Sequence, residues 1–343
     1  MLGFLLQAVE EGEVNDLFFV PTYIGYDQIP EEKSYLHELA GREKEKESFL
    51  ALVRAREVLK KKFGKVYVRF HNPLSFKECC SKSGIEFPGV SMRENRKVLL
   101  DFAYYLMTGI ANASVVTPIE LVAAGLVCSG LKKINFQRLS EAIDYLIQAL
   151  KMREIELAES FESSEKAVAR SLELFRSRRF IEVETSQGST SQVYTIDDQR
   201  RPNLEFYKNA LVNHLWAESF ASIALLSHDD PVDYNKIEEE FQLLLTISSK
   251  ELITDPLKSP EQLLKEVFSF FEKKNWIEFL NDNLLRIKDQ KPLMTFKGIM
   301  SDLLQVYYLA LVTTTTMEKD EIVGQKEFAK LGIDISQIKS EEL

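Results

Sequence analysis

The sequence predicts an α+β protein, in which a short α/β segment is followed by a mainly helical region that repeats itself. Three observations lead there. Two apolar runs of strand length, 17–26 and 65–70, flank an amphipathic stretch near the N-terminus. Beyond about residue 92 the apolar residues recur at helical spacing instead. The order of motifs between residues 134 and 206 then returns between 232 and 296.

Leu2–Val9 has the apolar spacing of a short helix. Leu17–Tyr26 gathers Phe18, Phe19, Val20, Tyr23 and Ile24 and reads as a buried strand, with Pro21 demoting one position or marking a bulge. Lys44–Phe63 is amphipathic, with Phe49, Leu52, Val53, Val58 and Leu59 recurring between charges. Lys65–Phe70 is a second strand, and Pro88-Gly89 marks a linker. Met107–Leu131 is the most apolar stretch, but it holds Asn112, Pro118 and Glu120. Two buried helices broken at Thr117-Pro118 fit it better than a membrane span, which needs about 20 predominantly apolar residues. These readings divide the chain into 1–83, a linker at 84–92, a first helical unit at 93–228, a second at 229–316 and a helical tail at 317–343.

The repeat is legible in short motifs. Ile134-Asn135-Phe136-Gln137-Arg138-Leu139 parallels Val232-Asp233-Tyr234-Asn235-Lys236-Ile237, and an amphipathic helix follows each. Phe180-Ile181-Glu182-Val183 parallels Trp276-Ile277-Glu278-Phe279. Hairpin turns are expected at Gln187-Gly188-Ser189 and Asn281-Asp282-Asn283. Phe206 and Phe296 then open long helices, so that Phe180, Trp276, Phe206 and Phe296 should anchor two separate cores. Helices followed by a hairpin make each unit winged-helix-like. A recognition helix for DNA would be 165–180, with Arg170, Arg176, Arg178 and Arg179, but its counterpart at 261–275 carries Glu261, Glu266 and Glu272. A protein-packing scaffold accounts for both helices.

Composition narrows the function classes. The 343 residues suffice for two or three domains. A formal charge of −10 argues against nucleic acid as partner, since phosphate neutralisation needs clustered excess Lys and Arg. Three cysteines, of which Cys79 and Cys80 are adjacent, supply no disulfide framework and no metal-type spacing, and they read as packed or surface thiols. Met1–Ala8 lacks a basic region before it, and acidic residues come directly after, so no secretory signal is expected.

The segment Val20-Pro21-Thr22-Tyr23-Ile24-Gly25-Tyr26-Asp27, with Gly41-Arg42-Glu43-Lys44-Glu45-Lys46-Glu47-Ser48, resembles the fourth sequence block of the glycerol-3-phosphate acyltransferase family, in its bacterial and mitochondrial membrane-bound branch. Gly64–Phe70, then Asn72-Pro73-Leu74-Ser75, resembles the family's stretch just downstream of that block. Tyr207-Lys208-Asn209-Ala210-Leu211-Val212-Asn213-His214 resembles a helix motif of the family's C-terminal region. The resemblance implies the C-terminal part of an enzyme that moves a fatty acyl group from acyl-CoA or acyl carrier protein to the first hydroxyl of glycerol 3-phosphate, without further cofactor or metal. Residues 1–83 would be the remnant α/β end of an acyltransferase domain. An upstream catalytic half, if separately encoded, would be its partner. Phospholipid synthesis would place it peripherally on the cytoplasmic side of a membrane, with no transmembrane helix. The competing reading is a non-catalytic scaffold of winged-helix-like units.

The resemblance also implies site residues. The family's general base is a His in the pattern H-x4-D, upstream of the fourth block. Of the four histidines only His228 fits the string, with Asp233, and it lies far downstream. Asp229 or Asp230 as N-cap, with Pro231 at the first helical position, would explain the same residues as a helix start. The family's upstream arginines and its E-G-x-R-S element do not occur in these 343 residues. The chain alone is therefore expected to be catalytically incomplete. Arg42, Lys44 and Lys46 are candidates to face a substrate phosphate. Pro21 and Gly25 are candidates to shape the pocket wall.

Overall fold

The structure, a computed structural model, describes residues 2–27, 64–82, 96–162, 164–185 and 192–316. The amphipathic stretch 44–63, Arg42, Lys44, Lys46, the linker 84–92, the turn 187–189 and the tail 317–343 lie outside the described residues. Within them the chain is α+β, with small sheets set among helices.

The N-terminal part runs α1 (Leu2–Glu10), β1 (Phe18–Phe19), β2 (Thr22–Tyr26), β3 (Val66–Phe70), β4 (Leu74–Ser75), α2 (Phe76–Lys82) and α3 (Arg96–Asn112). The expected single strand 17–26 is split, because Pro21 has no N–H for a ladder and the pairing changes partner there. β1 pairs with β4 and β2 with β3, both antiparallel. A small core joins α1, α2 and α3 through Leu6, Val9, Phe76, Val98 and Phe102. Phe19 contributes an edge-to-face contact with Phe102 at 5.3 Å. Cys79 and Cys80 are buried in this core as free thiols.

The rest is one larger body. After β5 (Val115–Val116), α4 (Pro118–Cys128) starts from N-cap Thr117 with Pro118 in its first turn, and every residue of the helix is buried. The break expected at Thr117-Pro118 is therefore present, and among the described residues no helix is long and apolar enough to cross a membrane.

Next come β6 (Lys133–Asn135), α5 (Phe136–Met152), β7 (Glu156–Leu157), α6 (Ser164–Ser177), β8 (Ile181–Thr185), β9 (Gln192–Ile196) and α7 (Arg201–Lys208). Then follow α8 (Val212–Leu226), β10 (Val232–Asp233), α9 (Tyr234–Ser248), α10 (Pro260–Lys273), β11 (Ile277–Asn281), β12 (Leu284–Ile287) and α11 (Gln290–Thr316).

The two series match in sheet topology and in packing. The three-stranded antiparallel sheets have the orders β6-β9-β8 and β10-β12-β11. Helix α4 packs on α5, α6 and α7 as α8 packs on α9, α10 and α11. The long helix that the sequence assigns to the end of the first unit thus packs as the first helix of the second.

Three expectations change. The first concerns the helix start near 230. Asp233, not Asp229 or Asp230, is the N-cap of α9, accepting from the Asn235 N–H, and Pro231 stands before β10 rather than in the helix. The second concerns Phe206, which is half-buried inside α7. The ring that matches Phe296 is its neighbour Tyr207, since Tyr207 packs on Phe175 as Phe296 packs on Phe271. The third concerns the cores. The aromatic anchors of both units belong to one continuous hydrophobic cluster, because α8 and α11 share an apolar interface.

Candidate functional site

The β2–β3 ribbon carries the motif that the sequence singles out. Its register pairs Ile24 with Val68, Gly25 with Tyr67 and Tyr26 with Val66. Alternation sends Tyr23, Gly25, Tyr67 and Arg69 toward the protein and the β-branched and aromatic partners outward. The ring of Tyr23 lies over Gly25 so closely that a Cβ there would collide with it and push the ring aside. Pro21 is buried against α3, where it and Leu74 fill the space that a side chain on Gly109 would need.

Asp27 closes the ribbon's open end. Its carboxylate accepts from Tyr67 Oη at 2.9 Å and from the Lys65 N–H at 2.8 Å. Arg69 pairs with Glu156, and Lys65 with Glu159 at 3.1 Å, tying β3 to the helical body. Both pairs are exposed and add little stability, so their value is alignment.

The outer face is the expectation most changed by the structure. Instead of being buried, Ile24 is 59% exposed, Val68 50% and Phe70 69%, and Phe18, Val20 and Val66 are also exposed. A ribbon of two strands with one bare apolar face has no cover on that side among the described residues.

Beneath the ribbon lies Glu120, fully buried at the start of α4, where its carboxylate accepts from the Thr117 N–H at 2.7 Å. Burial pushes its pKa up to about 7 against the lowering hydrogen bond, and Asp27 pushes the same way. Burial, with Glu120 nearby, likewise raises Tyr23 to about 12.

A second polar centre surrounds His214 on α8. It lines a cavity of about 480 Å³ together with Asn112, Arg153, Asn213 and Lys258. His214 Nε2 is 2.8 Å from Ser114 Oγ. Burial, helped by the Arg153 charge, lowers its pKa to about 4, so the ring is neutral at pH 7. Arg153 donates from Nε to the fully buried Glu218 at 2.7 Å. Lys208, also fully buried, donates to Asp302 at 2.5 Å and to the Ile299 carbonyl at 2.9 Å, locking α7 to α11.

The residues singled out in the sequence are therefore brought together only in part. Pro21 and Gly25 lie four residues apart at the start of the ribbon, and both face inward. His228 and Asp233 do not pair: His228 Nε2 stands 2.9 Å from Glu240, while Asp233 caps α9. Among the described residues no cluster could hold a metal ion. Glu120, Ser114 and Arg153 belong to none of the motifs that the sequence singles out. The signals for this region are the capping-box spacing Thr117-x-x-Glu120 and the placing of Lys208 and His214 in one motif.

Comparison of the sequence with known proteins places the chain in a family. The family described as the glycerol-3-phosphate acyltransferase C-terminal region matches residues 35–338. A Pasteurella multocida protein named glycerol-3-phosphate acyltransferase is 22% identical over 347 aligned residues, covering 98% of this chain and 42% of that protein. One of the same name from Actinobacillus pleuropneumoniae serotype 3 is 24% identical, covering 91% of this chain and 38% of its own length. One from Xylella fastidiosa strain M12 is 35% identical over 133 residues, 37% of this chain and 15% of the relative. The chain thus spans about two-fifths of the length of the first two relatives.

Proposed function

Because the chain belongs to the glycerol-3-phosphate acyltransferase family through its C-terminal region, we propose that it is the C-terminal part, catalytically incomplete by itself, of an enzyme that acylates the first hydroxyl of glycerol 3-phosphate. The acyl donor is a thioester, acyl-CoA or acyl carrier protein, and the product enters phospholipid synthesis at a membrane surface on its cytoplasmic side. The observation that carries this reading is the bare apolar face of the β2–β3 ribbon. Ile24, Val68 and Phe70 stand in solvent, and burying such side chains is worth roughly 1.5–3 kcal/mol each. The catalytic part of the enzyme, attached or separate, covers that face and completes the sheet.

In this reading Pro21 and Gly25 set the shape of the pocket wall, since the Tyr23 ring packs over Gly25 in β2 and Pro21 packs against Gly109 of α3. Arg42, Lys44 and Lys46 meet the phosphate of glycerol 3-phosphate or of the carrier. The two winged-helix-like units form a scaffold that holds the ribbon. Arg178 supports a packing role over a nucleic-acid one, because it donates to Tyr207 Oη at 3.1 Å inside the fold.

The test is an acylation assay of the 343-residue chain with glycerol 3-phosphate and acyl-CoA or acyl carrier protein. No turnover above background is expected from the chain alone. Turnover that disappears in His228→Ala would overturn the proposal and make His228 the base.

A further inference from the structure

The internal repeat makes one surface of the helical body stand out. In the first unit Tyr207 packs on Phe175, and in the second Phe296 packs on Phe271. Counting onward from these matched rings, Ala217, Ser219 and Ser222 of α8 stand where Val306, Tyr308 and Leu311 of α11 stand. The first three are fully buried. Their counterparts are larger and more apolar, yet Val306 and Leu311 are each 62% exposed and Tyr308 is 51% exposed.

The difference has a cause in the topology. The helices that pack most on α8 are α9, α10 and α11, which follow it in the chain, while α5, which precedes it, makes a smaller contact. Phe241 of α9, for example, closes over Trp216 and Phe220 at 6.2 and 6.4 Å. The second half of α11 holds the position that α8 holds after the first unit, but nothing among the described residues closes over Val306 and Leu311 in the same way. It also carries no charge from Leu303 to Thr316, in a chain whose net charge is −10. Repeat architectures cover their terminal apolar face with a capping segment, because an open one is unstable in water.

We propose that residues 317–343 of this chain are that cap, and that they bind the α11 face presented by Val306 and Leu311. Continuity and composition favour this occupant. The segment starts directly after α11, as the cover of α8 starts directly after α8. It supplies Ile322, Val323, Phe328, Leu331, Ile335 and Ile338 between charged residues, so one side can be apolar and the other solvated. A second copy of the chain would instead bring two molecules of charge −10 together. A lipid surface would find no basic rim on the uncharged stretch 303–316.

The test uses the full chain. Phe328→Asp, Leu331→Asp and Ile335→Asp together should speed amide exchange of residues 303–316 by about tenfold or more. Residues 212–226 serve as the control and should not change. Conversely, Val306→Asp with Leu311→Asp should make 317–343 more readily cleaved by a protease. Unchanged exchange at 303–316 in the triple variant would overturn the proposal. Protection that rises only with protein concentration would assign the face to a second copy. Protection that rises only with phosphatidylcholine vesicles would assign it to lipid. Either result would also overturn the proposal.

Discussion

Trp276 occupies in the second unit the position that Phe180 occupies in the first. Each follows a residue with φ of 59°, Arg179 and Asn275 respectively. Each N–H then reaches back to an aromatic residue of the preceding helix, Phe180 to the Phe175 carbonyl at 2.8 Å and Trp276 to the Phe271 carbonyl at 3.0 Å. Each ring packs on that same aromatic residue, at 5.9 Å and 5.6 Å. The left-handed residue turns the chain out of the helix and aims the next side chain into the core.

Replacing Trp276 by Ala should cost about 3–5 kcal/mol. The sequence alone suggests that only the second unit would suffer. The structure argues otherwise, since Trp276 also packs edge-on against Tyr145 of α5 at 5.6 Å and lies in the shared cluster. Denaturation followed by unit-resolved hydrogen exchange should show both units loosening in one transition. A first unit that keeps full protection would restore two independent cores.

The repeat is readable from sequence because its signals are local: a cap, an aromatic after a helix, a hairpin. Asn135 and Asp233 both cap helices, as their aligned motifs suggest. The features that sequence does not show are tertiary. Which of Phe206 and Tyr207 faces inward depends on the angle of α7, not on its apolar content. The strand at 17–26 is apolar enough to be buried, but burial needs a second layer, and none covers Ile24 or Phe70 among the described residues. Glu120 and His214 look ordinary in sequence, since burial in the fold is the main cause of their unusual titration.

A close helix crossing gives the next prediction. A Cβ on Gly298 of α11 would fall inside contact distance of the Cys128 backbone at the end of α4. Backbone cannot swing aside as a side-chain tip can. Gly298→Ala gains about 1 kcal/mol of helix propensity, but it forces α4 and α11 apart at about 1–3 kcal/mol. A lower denaturation midpoint is expected, and a higher one would show that the crossing relaxes freely.

Two buried groups should bend stability with pH in opposite directions. His214 titrates near 4 in the fold against an ordinary value of 6.5, so the folded form binds fewer protons between those values. Its contribution is intact above pH 6.5 and is lost as pH falls toward 4. Glu120 titrates near 7 instead of 4.5, so its contribution is intact below pH 4.5 and is lost as pH rises through 7. Each effect is on the order of 3 kcal/mol, and they oppose one another between pH 4.5 and 6.5. Denaturation of Glu120→Gln should then show stability rising with pH across that window, and His214→Gln should show it falling. Curves parallel to the parent in both variants would remove this account.

The ribbon yields the final prediction, which separates folding from assembly. Ile24 and Phe70 are mostly exposed, so Ile24→Thr and Phe70→Ser should change the stability of this chain by no more than about 0.5 kcal/mol. Pro21 and Gly25 are seated against Gly109 and Tyr23, so Gly25→Val should instead disturb the ribbon directly. Hydrogen exchange should find residues 18–26 and 66–70 less protected than α4 or α8, because two strands with one open face make a weak sheet. A polypeptide that carries the family's catalytic blocks should slow that exchange when mixed with the chain, and should fail to do so with the Ile24→Thr, Phe70→Ser variant. If the two polar substitutions unfold the chain alone, the face is already covered from within and cannot be the seat of a catalytic partner.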